Sequence, residues 1–155
     1  MNIDDLPKLN LPSYGAKVRT VADGDDLEIY DCLRKKWIVL TPEEWVRQHF
    51  VNYLMGWCEY SPHRMANEIS LRLNNTLRRC DTVVYDDFTQ PLVIVEYKAS
   101  HVKITQRVFD QIARYNMVLG APYLIVSNGM SHYCCRIADG KVTFLRDIPR
   151  YPEIK

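Results

Sequence analysis

The chain has 155 residues, 47% of them apolar and 25% charged, which suits one globular domain with a real core. A formal net charge of +1 excludes a polyelectrolyte binder, and no apolar run approaches the roughly 18 residues of a membrane-spanning helix. Five cysteines without a C-x-x-C, and four scattered histidines, argue against a disulfide framework or a zinc site and for reduced, mostly buried thiols.

The opening stretch, MNIDDLPKLNLPSYGAK, is acidic and broken by prolines, unlike a signal peptide, so a cytoplasmic location is expected. Residues 1–16 read as an arm on the surface, and 17–155 as a single domain. Lys17–Val21 and Leu27–Asp31 read as strands joined at the turn signal Asp23-Gly24, with a further strand at Lys36–Leu40. Thr41 is a good N-cap, Pro42 suits the first helical position, and Glu44 completes a capping box. Val46, Phe50, Tyr53, Leu54 and Trp57 follow at helical spacing, so a helix is expected from Pro42 to about Trp57. Ser61 leads a short helical turn.

In NEISLRLNN, Ile69, Leu71 and Leu73 alternate with Glu68, Ser70 and Arg72, the pattern of a half-buried strand. Strands at Asp81–Tyr85 and Leu92–Lys98 come next and form an antiparallel meander with it. A second helix carries the stripe Val108, Ile112, Tyr115 and Leu119 and stops at Gly120. PYLIVSNG reads as a buried parallel strand reached by that helix, and a hairpin across Asp139-Gly140 closes the domain. The sum is an α/β domain with one mixed sheet and a helix on each face.

The chemistry gathers at Arg78–Ser100, RRCDTVVYDDFTQPLVIVEYKAS. An apolar strand that runs into Glu-Tyr-Lys needs a reason, because a buried unpaired carboxylate is costly. Strand alternation puts Glu96 and Lys98 on one face, about 6 to 7 Å apart. If the two strands pair as a hairpin, Asp81 at the head of one meets Glu96 at the tail of the other. Two carboxylates and the Tyr97 carbonyl then offer hard oxygen ligands for Mg²⁺, and Lys98 can orient or deprotonate a water or steady a phosphate. D-x14-E-x-K alone is a weak pattern, and a strand-end ion pair worth roughly 0 to 1 kcal/mol is the simpler account. Gln111 and Tyr115, spaced i, i+4, sit on the expected core-facing side of the second helix and reach back toward this place. Seven acids against three bases mark residues 1–31, and a run of arginines and lysines from Arg64 to Arg114 allows either a local basic surface or a merely solvated one.

LTPEEWVRQHFVNYL, RRCDTVVYDDFTQPLVIVEYKA, QIARYNMVLGAPYLIVSNG and HYCCRI, in this order, resemble the N-terminal endonuclease domain of type I restriction enzyme R subunits. More narrowly they resemble its small stand-alone bacterial relatives, members of the PD-(D/E)xK nuclease superfamily. The resemblance runs from about Lys17 to Pro149. It implies a restriction-endonuclease-like (PD-(D/E)xK) core: a central mixed β-sheet flanked by helices, with an N-terminal β-hairpin. It implies an endonuclease that uses Mg²⁺ or Mn²⁺ to cleave DNA in restriction-modification. Asp81 and Glu96 then match the metal-binding acids and Lys98 the catalytic lysine. Gln111 and Tyr115 match a QxxxY motif that positions DNA or the lysine. Glu68 matches a further acid near the metal, with Glu44 able to fill the same role, and Arg79 either touches phosphate or pairs with an acid. No P-loop is present, so no ATP site and no motor are expected in this chain. The rival readings are a nucleic-acid-binding module with little or no turnover, and a partner subunit of a DNA-processing or defence complex.

Overall fold

A computed structural model describes residues 2–22, 24, 26–73 and 75–154. The main sheet has six strands in the order β4 (Met65–Leu73), β5 (Thr76–Tyr85), β6 (Pro91–Tyr97), β7 (Tyr123–Ser127), β8 (His132–Ala138) and β9 (Lys141–Leu145). Only β6 and β7 run parallel. The helix α2 (Gln106–Met117) makes that crossover, as expected for a short apolar strand following a helix. The closing hairpin turns at Asp139 and Gly140, both in the left-handed region at φ 52° and 73°, which is what a tight hairpin turn demands.

One face of the sheet packs on α1 (Pro42–Gly56): Val46, Phe50 and Leu54 meet Val93, Val95, Tyr97 and Ile125. The other packs on α2 and the turn after it: Phe109 and Ala113, with Leu119 beyond the helix, cluster with Val83, Ile94, Leu124 and Val126. The sheet is therefore apolar on both sides, and β6 and β7 read as unbroken apolar runs for that reason. Both helices start where their caps dictate. Thr41 Oγ1 accepts from the Glu44 amide at 3.1 Å, and Thr105 Oγ1 from the Val108 amide at 3.2 Å. The Glu44 side chain turns inward instead of completing the capping box, and Trp57 is 63% exposed rather than part of the α1 stripe.

Other expectations are corrected. The expected N-terminal hairpin forms between β1 (Val18–Thr20) and β2 (Leu27–Asp31), but with β3 (Lys36–Val39) it makes its own three-stranded antiparallel sheet rather than joining a single mixed sheet. Leu27, Ile29 and Leu40 give that sheet a small core of its own against Leu6, Val18, Ile38 and Trp45. The expected turn at Asp23-Gly24 lies outside the described residues at Asp23, and the expected orientation of Leu73 lies outside the described side chains. The N-terminal arm is docked, not merely laid on the surface. Leu9 enters the α1-side core, the Asn10 amide donates to the Gly129 carbonyl at 2.9 Å, and Trp45 Nε1 donates to the Pro7 carbonyl at 2.9 Å. Gly129 permits this: at φ 83° a side-chain Cβ would stand 2.8 Å from Leu9 Cδ2. The cysteines are free, with Cys58, Cys80, Cys134 and Cys135 buried. Among the described residues no helix is long and apolar enough to cross a membrane.

Candidate active site

The strand β5 begins at Thr76, so Asp81 lies within it rather than at its head. What ends at Asp81 is the pairing with β6. Thr82 pairs with Val95, and one step outward Asp81 comes opposite Glu96. The Tyr97 amide donates to Asp81 Oδ2 at 2.9 Å, which turns the carboxylate toward β6. Alternation puts Val95 and Tyr97 in the core under α1, so Glu96, like Ile94, faces α2. The two carboxyl groups meet on this side, closely enough that Asp81 raises the Glu96 pKa.

That meeting is unfavourable for two anions. Burial, and after it the Asp81 charge, push the Glu96 carboxyl up to about 9, with Asn116 and Lys98 pulling weakly the other way. Glu96 Oε1 is buried without a hydrogen-bond partner, and so is the neighbouring Asn116 Oδ1. An orphaned Glu96 oxygen facing a second carboxylate makes a site that fits a hard divalent cation. Among the described residues no three His, Cys, Asp or Glu side chains converge into a cage. The donor set is therefore the Asp81–Glu96 pair, with the Asn116 side chain acting on Glu96 as a hydrogen-bond donor. Such a set suits Mg²⁺, which keeps several waters and takes one or two carboxylates. Lys98 follows β6 directly; its amide donates to the Ser127 carbonyl at 2.9 Å, and its charge acts on Glu96.

Glu68 and Glu44, the two candidates for a further acid, do not join this set. Both belong to a knot around Arg47 on α1, which is 7% exposed. Arg47 Nε donates to Glu44 Oε2 at 2.8 Å and Nη2 to Glu44 Oε1 at 2.7 Å. Nη2 also donates to Glu68 Oε1 at 2.6 Å. The other Glu68 oxygen accepts from Arg79 Nε at 2.6 Å, so Arg79 pairs with an acid here. Burial works against the Glu68 charge, but Arg47 and then Arg79 outweigh it and hold its pKa below the usual range. The knot continues through Arg34 to Asp31, whose Oδ2 accepts from Asn67 Nδ2 at 3.0 Å. From there Asn67, Thr82 and the Tyr97 hydroxyl form a buried chain of hydrogen bonds to β6.

The helix α2 is rotated from the expected stripe. Its buried residues are Phe109, Ala113 and Asn116, while Gln111 and Tyr115 are exposed. Tyr115 lies under the Arg78 guanidinium, 4.4 Å from ring centroid to Arg78 Cζ, and the Arg78 Nε donates to the Tyr115 carbonyl at 3.3 Å. The residue that does reach the carboxylates from α2 is Asn116. Sequence reasoning missed Asn116 and Arg47: an Asn beside a Tyr gives way to the Tyr in a hydrophobic stripe, and an Arg on a helix reads as solvated.

The sequence model of the family described as type I restriction enzyme R protein N terminus matches residues 42–149. No curated protein matches the chain. A solved structure described as "cryoEM structure DrdV-DNA complex" superposes with a TM-score of 0.45 at 18% identity, over 69% of this chain and 11% of that one. The chain thus spans a small fraction of that protein's length. The family match opens at the first residue of α1, takes in Asp81, Glu96 and Lys98, and closes beyond β9. The chain belongs to the type I restriction enzyme R protein N-terminal family.

Proposed function

We propose that this domain is a PD-(D/E)xK-type nuclease that uses Mg²⁺ or Mn²⁺ to hydrolyse DNA phosphodiester bonds. The observation that carries the reading is the half-buried Asp81–Glu96 pair, whose facing carboxyl groups and orphaned Glu96 oxygen suit a cation. A divalent cation, when bound, stabilises developing phosphoryl charge and makes a bound water more acidic. Asp81 and Glu96 hold that cation, with Asp81 kept in place by the Tyr97 amide. Lys98, at the rim, orients the attacking water, takes its proton or steadies the phosphate charge. Membership of a restriction-enzyme family supports DNA as the substrate. The exposed guanidinium of Arg79, the Arg78–Tyr115 stack and Gln111 are the groups closest in kind to what a phosphate backbone requires.

A second reading, a nucleic-acid-binding module with little or no turnover, is favoured by the engagement of Glu68. Both its oxygens are held by arginines, so it adds nothing to metal binding. Nicking of supercoiled plasmid separates the two. The nuclease needs Mg²⁺ or Mn²⁺ and loses activity in a folded Lys98→Ala variant. A wild type that binds DNA under either metal without nicking it contradicts the nuclease and favours the binding module.

A further inference from the structure

Asp81 sits in a gap between two ladders. Toward β4 the register pairs Asn67 with Thr82 and Ile69 with Cys80, and skips Glu68, which stands opposite Asp81. Toward β6 the pairing stops at Thr82 and Val95. Glu68 causes the first break: its φ of 57° is left-handed, which takes a non-glycine residue out of strand geometry. A residue that skips both ladders lacks the bonds that normally fix a strand peptide, yet a metal ligand must be held within about 0.5 Å of its working position.

Arg47 fills the gap. Its Nη1 donates to the Asp81 carbonyl at 2.8 Å. The same guanidinium is locked by Glu44 and Glu68, and its Cζ lies 6.0 Å from the centroid of the Tyr97 ring. Asp81 is therefore held twice: its main chain by Arg47 from α1, and its carboxylate by the Tyr97 amide from β6. The planar fork makes four bonds here, to both Glu44 oxygens, Glu68 and the Asp81 carbonyl, one more than the three hydrogens of an ammonium can make.

We propose that Arg47 is a positioning residue: without touching cation or substrate, it holds the Asp81 peptide so that the Asp81 carboxylate stays at the separation from Glu96 that a shared cation requires. The cation in this statement rests on the nuclease reading above; the restraint on Asp81 does not.

The test uses the full chain as wild type, Arg47→Lys, Arg47→Met and, as a control, Arg34→Met. Arg34 belongs to the same knot through Asp31 and Glu44 but makes no bond to Asp81. The first readout, without metal, is hydrogen exchange of the Tyr97 amide, which bonds the Asp81 carboxylate, compared with the Ile94 amide farther along β6. The second is Mn²⁺ affinity by calorimetry. Both Arg47 variants are expected to speed Tyr97 exchange selectively, and to weaken Mn²⁺ binding about 10- to 100-fold, the range for supports of metal ligands. Arg34→Met is expected to do neither. Arg47→Lys decides the matter if Arg47→Met does not fold. Equal acceleration of Tyr97 and Ile94, or equal loss of Mn²⁺ affinity in Arg34→Met and Arg47→Lys, would reduce Arg47 to a general stabiliser and overturn the proposal. Selective Tyr97 acceleration with no Mn²⁺ binding even in the wild type would leave the restraint on Asp81 standing and sink the metal site instead.

Discussion

Two groups of buried or half-buried carboxylates lie against the same strands, one toward α1 and one toward α2, and they are treated in opposite ways. Toward α1, Asp31, Glu44 and Glu68 meet Arg34, Arg47 and Arg79, three acids for three bases. Burial works against the Asp31 charge, but the Arg34 amide, Asn67 and the Arg34 guanidinium outweigh it, and its pKa lies below the usual range. Toward α2, Asp81 and Glu96 face each other with no arginine between them, and the Glu96 carboxyl rises to about 9. A chain that neutralises one set completely and leaves the other with an orphaned oxygen has separated a structural cluster from a binding one.

The largest expected effect is on turnover. Lys98→Ala and Asp81→Asn should each lower plasmid nicking in Mg²⁺ by about 10²- to 10⁴-fold, with circular dichroism melting close to wild type. Loss of activity in both variants with no loss of fold marks the α2-side pair as functional.

Stability should respond with opposite signs on the two sides. Arg47→Met removes the guanidinium shared by buried Glu44 and half-buried Glu68, leaving Arg34 and Gln48 on one and Arg79 on the other, and should cost about 1.5 to 3 kcal/mol in urea unfolding. Glu96→Gln removes a carboxyl that must take up a proton on folding at neutral pH, and should stabilise the metal-free protein by about 1 to 3 kcal/mol. If both substitutions destabilise, the Asp81–Glu96 pair is not under the tension argued here.

The pH dependence should divide likewise. Glu96 has an ordinary value of 4.5 and a folded value of about 9. Its contribution to stability is full below the ordinary value and is lost as pH rises toward the folded one. Metal-free protein should therefore lose about 1 kcal/mol per pH unit across the neutral range, and Glu96→Gln should flatten that slope. Asp31 and Glu68, with lowered values, contribute at neutral pH and lose that contribution only as pH falls through the acid range. Urea midpoints measured from acid to alkaline pH, with and without Mn²⁺, would show both limbs.

The smallest effect belongs to the exposed rim of the knot. Arg79 is 72% exposed at its side chain, so Arg79→Ala should cost less than about 1 kcal/mol. It should still weaken DNA binding uniformly across sequences and reduce the salt slope by about one, if that guanidinium meets a phosphate.

How much of this was legible in the sequence depended on whether a residue's neighbours lay close by in the chain. The cap at Thr41, the turn at Asp139-Gly140 and the apolar runs of β6 and β7 are local signals, and the structure follows them. The approach of Asp81 to Glu96 followed from hairpin pairing alone. Early β5 was missed because Thr76-Leu77-Arg78-Arg79 is polar and pairs only with β4, where neither face needs to be apolar throughout. Tyr115 was misplaced because hydrophobic periodicity favours an aromatic over Asn116, and only the distant Glu96 gives an Asn reason to be buried. Arg47 was invisible for the same cause: its partners Glu68 and Asp81 lie on other elements. Leu9 was hidden in a proline-broken arm, and its berth exists only because residue 129 is glycine.

Calorimetric titration of Mn²⁺ into the wild type and into Asp81→Asn tests the central claim most directly. The account predicts saturable binding in the wild type that Asp81→Asn abolishes or weakens severely while the protein stays folded. Equal binding by the two proteins, or none by a folded wild type, would contradict it.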